Sequence, residues 1–106
     1  MLIVTMNDIP GYKVEEVMGE VFGLTVRSRN VFSQIGAMLR SAFGGELKGM
    51  TTMLVDSRIQ AIERLTEEAE SKGANAIIAM RFDASELSST WTEICAYGTA
   101  VRVQPL

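Results

Sequence analysis

Residues 71–83, Ser-Lys-Gly-Ala-Asn-Ala-Ile-Ile-Ala-Met-Arg-Phe-Asp, contain the transition that decides the fold. Gly73 follows Lys72, and a glycine here typically ends a helix because it takes the left-handed backbone conformation without steric cost. The run Ala76–Phe82 is almost wholly apolar, as in a strand covered on both faces. This stretch therefore predicts a helix that ends near Lys72 and a strand that begins at Ala76.

The predicted helix before Gly73 begins at about Glu46 or Thr51. Its apolar stripe has the spacing of one helix face and consists of Leu54, Ala61, Ile62, Leu65 and Ala69. On the polar face, Arg64, Glu68 and Lys72 are four residues apart, which favours ion pairs between neighbours.

An earlier helix is predicted from Asn30 to about Ala42. Asn30 is a good N-cap because its side chain accepts hydrogen bonds from free backbone N–H groups. The apolar stripe of this helix consists of Val31, Ile35, Met38, Leu39 and Ala42. Gly44-Gly45 then ends it.

Two β segments precede the helices. Leu2–Met6 is a short run, and Tyr12–Arg29 predicts one long bent strand or a hairpin. Gly19 and Gly23 lie on its side of small residues and argue against a helix. We expect that side to face a close neighbour, either a packed helix or another chain.

The predicted strand Ala76–Phe82 is followed by a polar loop, Asp83–Thr90, and by a last strand, Trp91–Val103. The resulting order is β-β-α-α-β-β. Because the helices are grouped rather than alternating with strands, the order predicts an α+β fold, with an antiparallel sheet and both helices on one face. The length of 106 residues is that of one domain, 1–106.

The composition predicts self-association. Apolar residues make up 47% of a short chain, and the mean hydropathy is +0.16. A chain of this size has a modest interior, so part of this apolar surface is expected to lie on the outside, where large patches mark interfaces. The expected partner is a second copy of the chain.

Charge and cysteine content exclude several classes of function. The net charge is −3 and no basic run is present, which argues against binding to nucleic acid or an anionic membrane. Cys95 is the single cysteine and cannot form an intramolecular disulfide. With no signal-peptide pattern and no apolar run of about 18 residues, we expect a cytoplasmic protein.

Arg58 is the first candidate ligand-binding residue. It falls at the middle of the apolar stripe of the long helix, where a charge needs a partner. Two interpretations are open: a structural ion pair, with Glu93, Asp83, Glu16 or Glu20 as its carboxylate, or an arginine that binds an anion in a cleft.

Arg81, Glu93 and Tyr97 are the other candidates, since they lie on strand segments that are predicted to be adjacent. An arginine, a carboxylate and a phenol could orient a polar ligand or perform acid–base chemistry. They could equally form a satisfied cross-strand network.

Metal and nucleophilic chemistry have little support in the residues. The chain has no histidine, so a Cys–His pair or a Ser–His–Asp triad cannot form within it. Cys95 is the only thiolate donor for a soft metal. Because it lies in the middle of a strand among apolar neighbours, we expect a buried inert thiol. The seven methionines are typical of core packing.

Three segments together resemble a known family. They are Gly44-Gly45-Glu46, residues 73–83 and Trp91–Val101, and Pro10-Gly11 precedes them. Their order and spacing closely resemble those of the YbjQ family of small bacterial and archaeal proteins. The resemblance implies a dodecin-like α+β subunit in a ring-shaped homopentamer. It also implies the family's description, "putative heavy-metal-binding", without an established activity.

Three functions therefore remain open. The first is a non-enzymatic oligomer that binds a small molecule or a metal ion between subunits, with Arg58, Arg81, Glu93 and Tyr97 as candidate lining residues. The second is a small enzyme that uses arginine, carboxylate and phenol chemistry at the same interface. The third is a structural or partner-binding module.

Overall fold

The structure is a computed structural model that describes residues 1–28, 48–86 and 91–106, and every element below lies in those ranges. In chain order the elements are β1 (Leu2–Ile3), β2 (Tyr12–Ser28), α1 (Lys48–Ser71), β3 (Ala76–Glu86) and β4 (Trp91–Pro105). The α+β class is thus confirmed.

The four strands form one sheet in the order β1-β3-β4-β2. β4 pairs antiparallel with both β2 and β3, whereas β1 pairs parallel with β3, with Leu2 opposite Ala76 and Ile3 opposite Ile77. The prediction of a purely antiparallel sheet is therefore wrong at β1. The reason is that β2 and α1 intervene between β1 and β3, and such a long connection can return the chain to the same end of the sheet.

The described elements follow the order β-β-α-β-β, which differs from the predicted β-β-α-α-β-β. The predicted helix from Asn30 to about Ala42 lies outside the described residues. No helix in the described ranges is long and apolar enough to cross a membrane.

The predicted transition at Gly73 is confirmed. α1 ends at Ser71, and Gly73 has a φ of 82°. The amide of Ala74 donates to the carbonyl of Ala69 over 3.1 Å, which closes the last turn. β3 then begins at Ala76, where both Ala76 and Ile77 are fully buried.

β3 continues past the predicted end at Phe82 to Glu86. Asp83 pairs with Cys95 and Ser85 with Glu93, so the strand ladder with β4 includes residues that were predicted as a polar loop. Cross-strand pairing outweighs local polarity here, because a strand with one face in solvent accepts polar side chains. Residues 87–90 of that predicted loop lie outside the described part of the chain.

α1 lies over β2 and β4 and buries a stripe of small and apolar side chains. Ala61, Leu65 and Ala69 are fully buried, as predicted, but Leu54 is 43% exposed and Ser57 is fully buried. The Ser57 hydroxyl donates to the carbonyl of Met53 over 2.9 Å, which satisfies it inside the packed layer.

Gly23 permits this close packing of α1 on β2. A Cβ added at Gly23 would overlap the carbonyl oxygen of Ala61 and the amide nitrogen of Leu65, and it would lie 3.0 Å from the carbonyl carbon of Arg64. The expectation that the small side of β2 faces a packed helix is confirmed at this position.

Candidate functional site

The sheet face opposite α1 carries a group of partly exposed apolar side chains, which we call the open face. Phe22 and Leu24 of β2 lie opposite Tyr97 and Cys95 of β4, and Val26 is the next outward residue of β2. The large apolar members are Phe22, Leu24, Val26, Trp91 and Tyr97, all at least one-third exposed. Since side chains alternate between the two faces of a strand, these five share the face that α1 leaves uncovered.

A groove of about 390 Å³ lies on the open face, and we call it the open-face groove. Its lining consists of Glu20, Phe22, Leu24, Asp83, Glu93, Cys95 and Tyr97. Apolar and aromatic side chains are thus combined with three carboxylates. Glu93 and Tyr97 were predicted as lining residues, whereas Glu20, Phe22 and Asp83 were not.

The Cys95 thiol lies in this groove, where its surroundings favour the protonated form. Burial raises its pKa, and the negative charges of Glu93, Asp83 and Glu20 raise it further. Its Sγ lies 3.8 Å from the carbonyl oxygen of Ala96. Because the thiolate is the reactive and metal-binding form, Cys95 is disfavoured as a nucleophile and as a ligand in a single subunit.

The residues of one chain do not fit a heavy-metal site. The sequence has no histidine and one cysteine, and soft metals prefer imidazole and thiolate ligands. Within residues 1–28, 48–86 and 91–106, no three His, Cys, Asp or Glu side chains lie together as a metal site requires. Those ranges of one chain therefore supply too few suitable donors for a heavy-metal site.

Arg81 and Glu93 are not brought together. Arg81 pairs with Tyr97 across the strands, whereas Glu93 pairs with Ser85, four residues and about 13 Å further along β4. The Arg81 guanidinium instead donates to the backbone carbonyl of Thr5 over 2.7 Å. Arg81 thus binds the segment after β1, and the predicted three-residue network does not form.

Arg58 lies on the other side of the sheet, in a second groove of about 480 Å³ between α1, β3 and β4, which we call the helix groove. Arg58 is exposed at the edge of the buried stripe rather than at its middle. Its guanidinium carbon lies 5.0 Å from the centre of the Phe82 ring. In the described part of the chain, no carboxylate forms an ion pair with Arg58, so the four predicted partners do not supply one.

The sequence did contain a signal for the residues that were missed. Glu20, Phe22 and Leu24 have the same parity along β2, so their presence on one face could be read from the alternation. What could not be read was the register that places Leu24, Cys95 and Asp83 side by side. The composition of the open-face groove depends on that register.

Residues 1–104 match the model of a protein family, YbjQ, whose description reads "Putative heavy-metal-binding". The chain belongs to the YbjQ family. The order and spacing of its glycine-containing segments had indicated this family, and the match covers nearly the whole chain.

Relatives in the YbjQ family span the same length. A "UPF0145 protein" of Acidothermus cellulolyticus is 68% identical over 106 residues, which cover 100% of this chain and 98% of the relative. The "UPF0145 protein" of Lactococcus lactis subsp. cremoris (strain MG1363) is 51% identical, covering 100% of this chain and 97% of the relative. These names state neither a reaction nor a ligand.

The fold also occurs in a solved structure. The crystal structure of a protein of unknown function from Pediococcus pentosaceus, assigned in its title to a DUF74 family, superposes with a TM-score of 0.59 and 16% identity. The alignment covers 98% of each chain. This similarity concerns the fold alone.

Proposed function

We propose that this YbjQ-family chain is a non-enzymatic binding protein that forms a homo-oligomer and holds a small ligand between its subunits. The observation that carries the proposal is the open face, with its groove at the centre. Phe22 is 48% exposed and Val26 is 46% exposed on a face that no element in the described ranges covers. A clustered apolar surface of this kind is typical of a protein–protein interface.

A second copy is the partner that best fits this face. Its three aromatic residues, Phe22, Trp91 and Tyr97, are of the types enriched in interfaces. The chain is also short and has a limited interior of its own. We propose the homopentameric ring that the YbjQ resemblance implies, with the open face buried in the subunit contacts.

The charges around the open-face groove favour a positively charged ligand. Glu20, Asp83 and Glu93 line the groove, and all three raise the pKa of Cys95. Their negative potential therefore acts inside the groove, where Cys95 lies. The rings of Phe22 and Tyr97 add faces that attract cations. We therefore propose a small organic cation as the ligand class, and a metal ion only if several subunits contribute donors.

The enzymatic alternative has less support. It depended on Arg81, Glu93 and Tyr97 acting together. Arg81 of β3 lies opposite Tyr97, however, whereas Glu93 of β4 lies opposite Ser85. A reaction that needs a nucleophile would also meet a protonated Cys95 thiol.

Phe22→Lys tests the proposal. A charge buried in an apolar contact is costly, so we expect sedimentation velocity to show at least a 100-fold weaker association, with an unchanged circular dichroism spectrum. Ile59→Lys is the matched control, because Ile59 is 49% exposed on α1 and lies outside the open face. An oligomer that tolerates Phe22→Lys but dissociates with Ile59→Lys would contradict the proposal.

A further inference from the structure

We propose that the helix groove is a second binding site, which takes a small organic anion with an apolar body, such as a medium-chain carboxylate. The groove is formed by α1, β3 and β4 of one chain and has a volume of about 480 Å³. Its lining residues are Thr51, Leu54, Val55, Arg58, Phe82, Asp83, Ala84, Thr92 and Ile94. The volume falls in the range of about 300–1,000 Å³ that is usual for small-molecule sites.

Arg58 supplies the charge that would recognise the anion. Its guanidinium lies over the Phe82 ring at 5.0 Å, and a ring face holds a guanidinium while leaving its N–H edges free to donate. In the described ranges no carboxylate pairs with Arg58. The planar guanidinium matches a carboxylate in a two-bond geometry, which makes a carboxylate the preferred headgroup.

Asp83 does not neutralise this site. It alternates along β3 with Phe82 and Ala84, so its side chain leaves the sheet on the opposite face. In agreement, Asp83 lines the open-face groove and its charge raises the pKa of Cys95. Arg58 is therefore the one charged side chain directed into the helix groove among the described lining residues.

The walls of the helix groove would receive the apolar body of the ligand. Leu54 and Val55 lie one turn before Arg58 on α1 and are 43% and 48% exposed. Phe82 and Ile94 form the opposite wall from the sheet. Because α1 packs on β2 and β4, this part of the sheet is left as an apolar trough beside the helix.

This inference does not rest on the proposed function, because the helix groove lies within one chain. The test is an NMR titration of the full chain with octanoate and with octanamide, its uncharged analogue of equal length. We expect octanoate to shift the methyl signals of Leu54, Val55 and Ile94 and to bind at least about tenfold more tightly than octanamide, since a charged hydrogen bond is lost with the amide.

Variants of arginine residues test whether the charge of Arg58 causes the preference for octanoate. Arg58→Gln should abolish the preference for octanoate over octanamide, and Arg58→Lys should retain most of it. Arg102→Gln is the control, since Arg102 lies in β4 about 26 Å along the strand from Ile94 and contacts Glu16. Arg58 is exposed, so its variants should fold, which their NMR spectra will verify.

Three outcomes with the unmodified protein would overturn the inference. They are equal binding of the two probes to the unmodified protein, shifts confined to the open face, and no binding of octanoate. An unchanged preference for octanoate in a folded Arg58→Gln protein would also overturn it. None of these results depends on the oligomeric state, which sedimentation measures separately.

Discussion

Cys95 shows how a single residue constrains the chemistry of this protein. The sequence predicted an inert thiol from its apolar strand neighbours, and the structure adds a stronger reason. Burial and three carboxylates all stabilise the protonated form, so the pKa of Cys95 is raised. The family is described as metal-binding, yet the single thiol of this chain binds its proton more tightly than usual.

We expect alkylation of Cys95 by iodoacetamide to be slow at neutral pH and to accelerate only above the usual pKa of a thiol. Glu93→Gln removes one of the charges that raise this pKa, so the pH–rate profile should move to lower pH. Glu67→Gln, on the exposed side of α1, is the control. A profile that Glu93→Gln leaves unchanged would show that the carboxylate does not act on the thiol.

The same pKa shift predicts how the free energy of unfolding changes with pH. The folded protein binds the thiol proton more tightly than the unfolded chain does, because the folded pKa is raised. This contribution to the free energy of unfolding is present at neutral pH. It is lost as the pH rises from the unfolded pKa through the folded pKa.

At the scale of elements, the contact between α1 and β2 is set by the absence of a side chain at Gly23. Gly23→Ala would place a methyl group against the backbone of Ala61 and Leu65, which cannot move without shifting the helix. We expect a loss of about 3 kcal/mol in the free energy of unfolding, measured by urea denaturation. Lys13→Ala, at an exposed position on the same strand, should change it by less than about 0.5 kcal/mol.

The outer edge of β2 is covered by charged side chains of α1. The outward carbonyls of Glu20 and Leu24 accept hydrogen bonds from Lys72 and Arg64 respectively. Between them, the amide of Phe22 donates to the Glu68 carboxylate over 3.2 Å. The predicted Glu68–Lys72 ion pair is confirmed at 3.6 Å. This arrangement satisfies backbone groups that an exposed strand edge would otherwise offer to another strand.

Glu68→Ala should therefore have two effects. Loss of the acceptor for the Phe22 amide should lower the free energy of unfolding by about 1 kcal/mol, and the freed edge should increase aggregation on heating. Light scattering during a thermal ramp measures the second effect. Glu67→Ala, one residue earlier on the exposed side of α1, should show neither effect. Equal behaviour of the two variants would contradict the role of Glu68.

The elements that sequence predicted well are those with strong local signals. Gly73 located the end of α1 to within one residue of Ser71, and the apolar run beginning at Ala76 located the start of β3. The parallel pairing of β1 and the extension of β3 to Glu86 were missed because both depend on neighbouring strands. Such tertiary pairing overrides local preference.

The candidate site was predictable only residue by residue. Glu93, Cys95 and Tyr97 share one face of β4 by alternation, and the structure places all three in the open-face groove. Arg58 and Arg81 were grouped with Glu93 and Tyr97, but neither lines this groove, although Arg81 lies opposite Tyr97 in the strand register. Arg58 is on the helix side of the sheet, and Arg81 binds the backbone of Thr5. Grouping residues across elements requires strand register, which the sequence pattern does not contain.

At the scale of the whole molecule, the short chain exposes a large apolar surface. α1 covers one side of the sheet, and in the described ranges the open face has no such cover. Apolar side chains such as Phe22 and Val26 stabilise the protein only when they are removed from water. Burial between identical subunits would cover this surface and would enclose the open-face groove.

The most direct measurement is native mass spectrometry of the untagged protein and its Phe22→Lys variant, with elemental analysis of the same samples. We predict a pentamer for the unmodified protein, without a stoichiometric heavy metal, and smaller species for Phe22→Lys. A bare monomer of the unmodified protein would contradict the central claim that copies of the chain bury the open face. A pentamer carrying a stoichiometric metal would retain that claim and replace the organic cation with a metal ion shared between subunits.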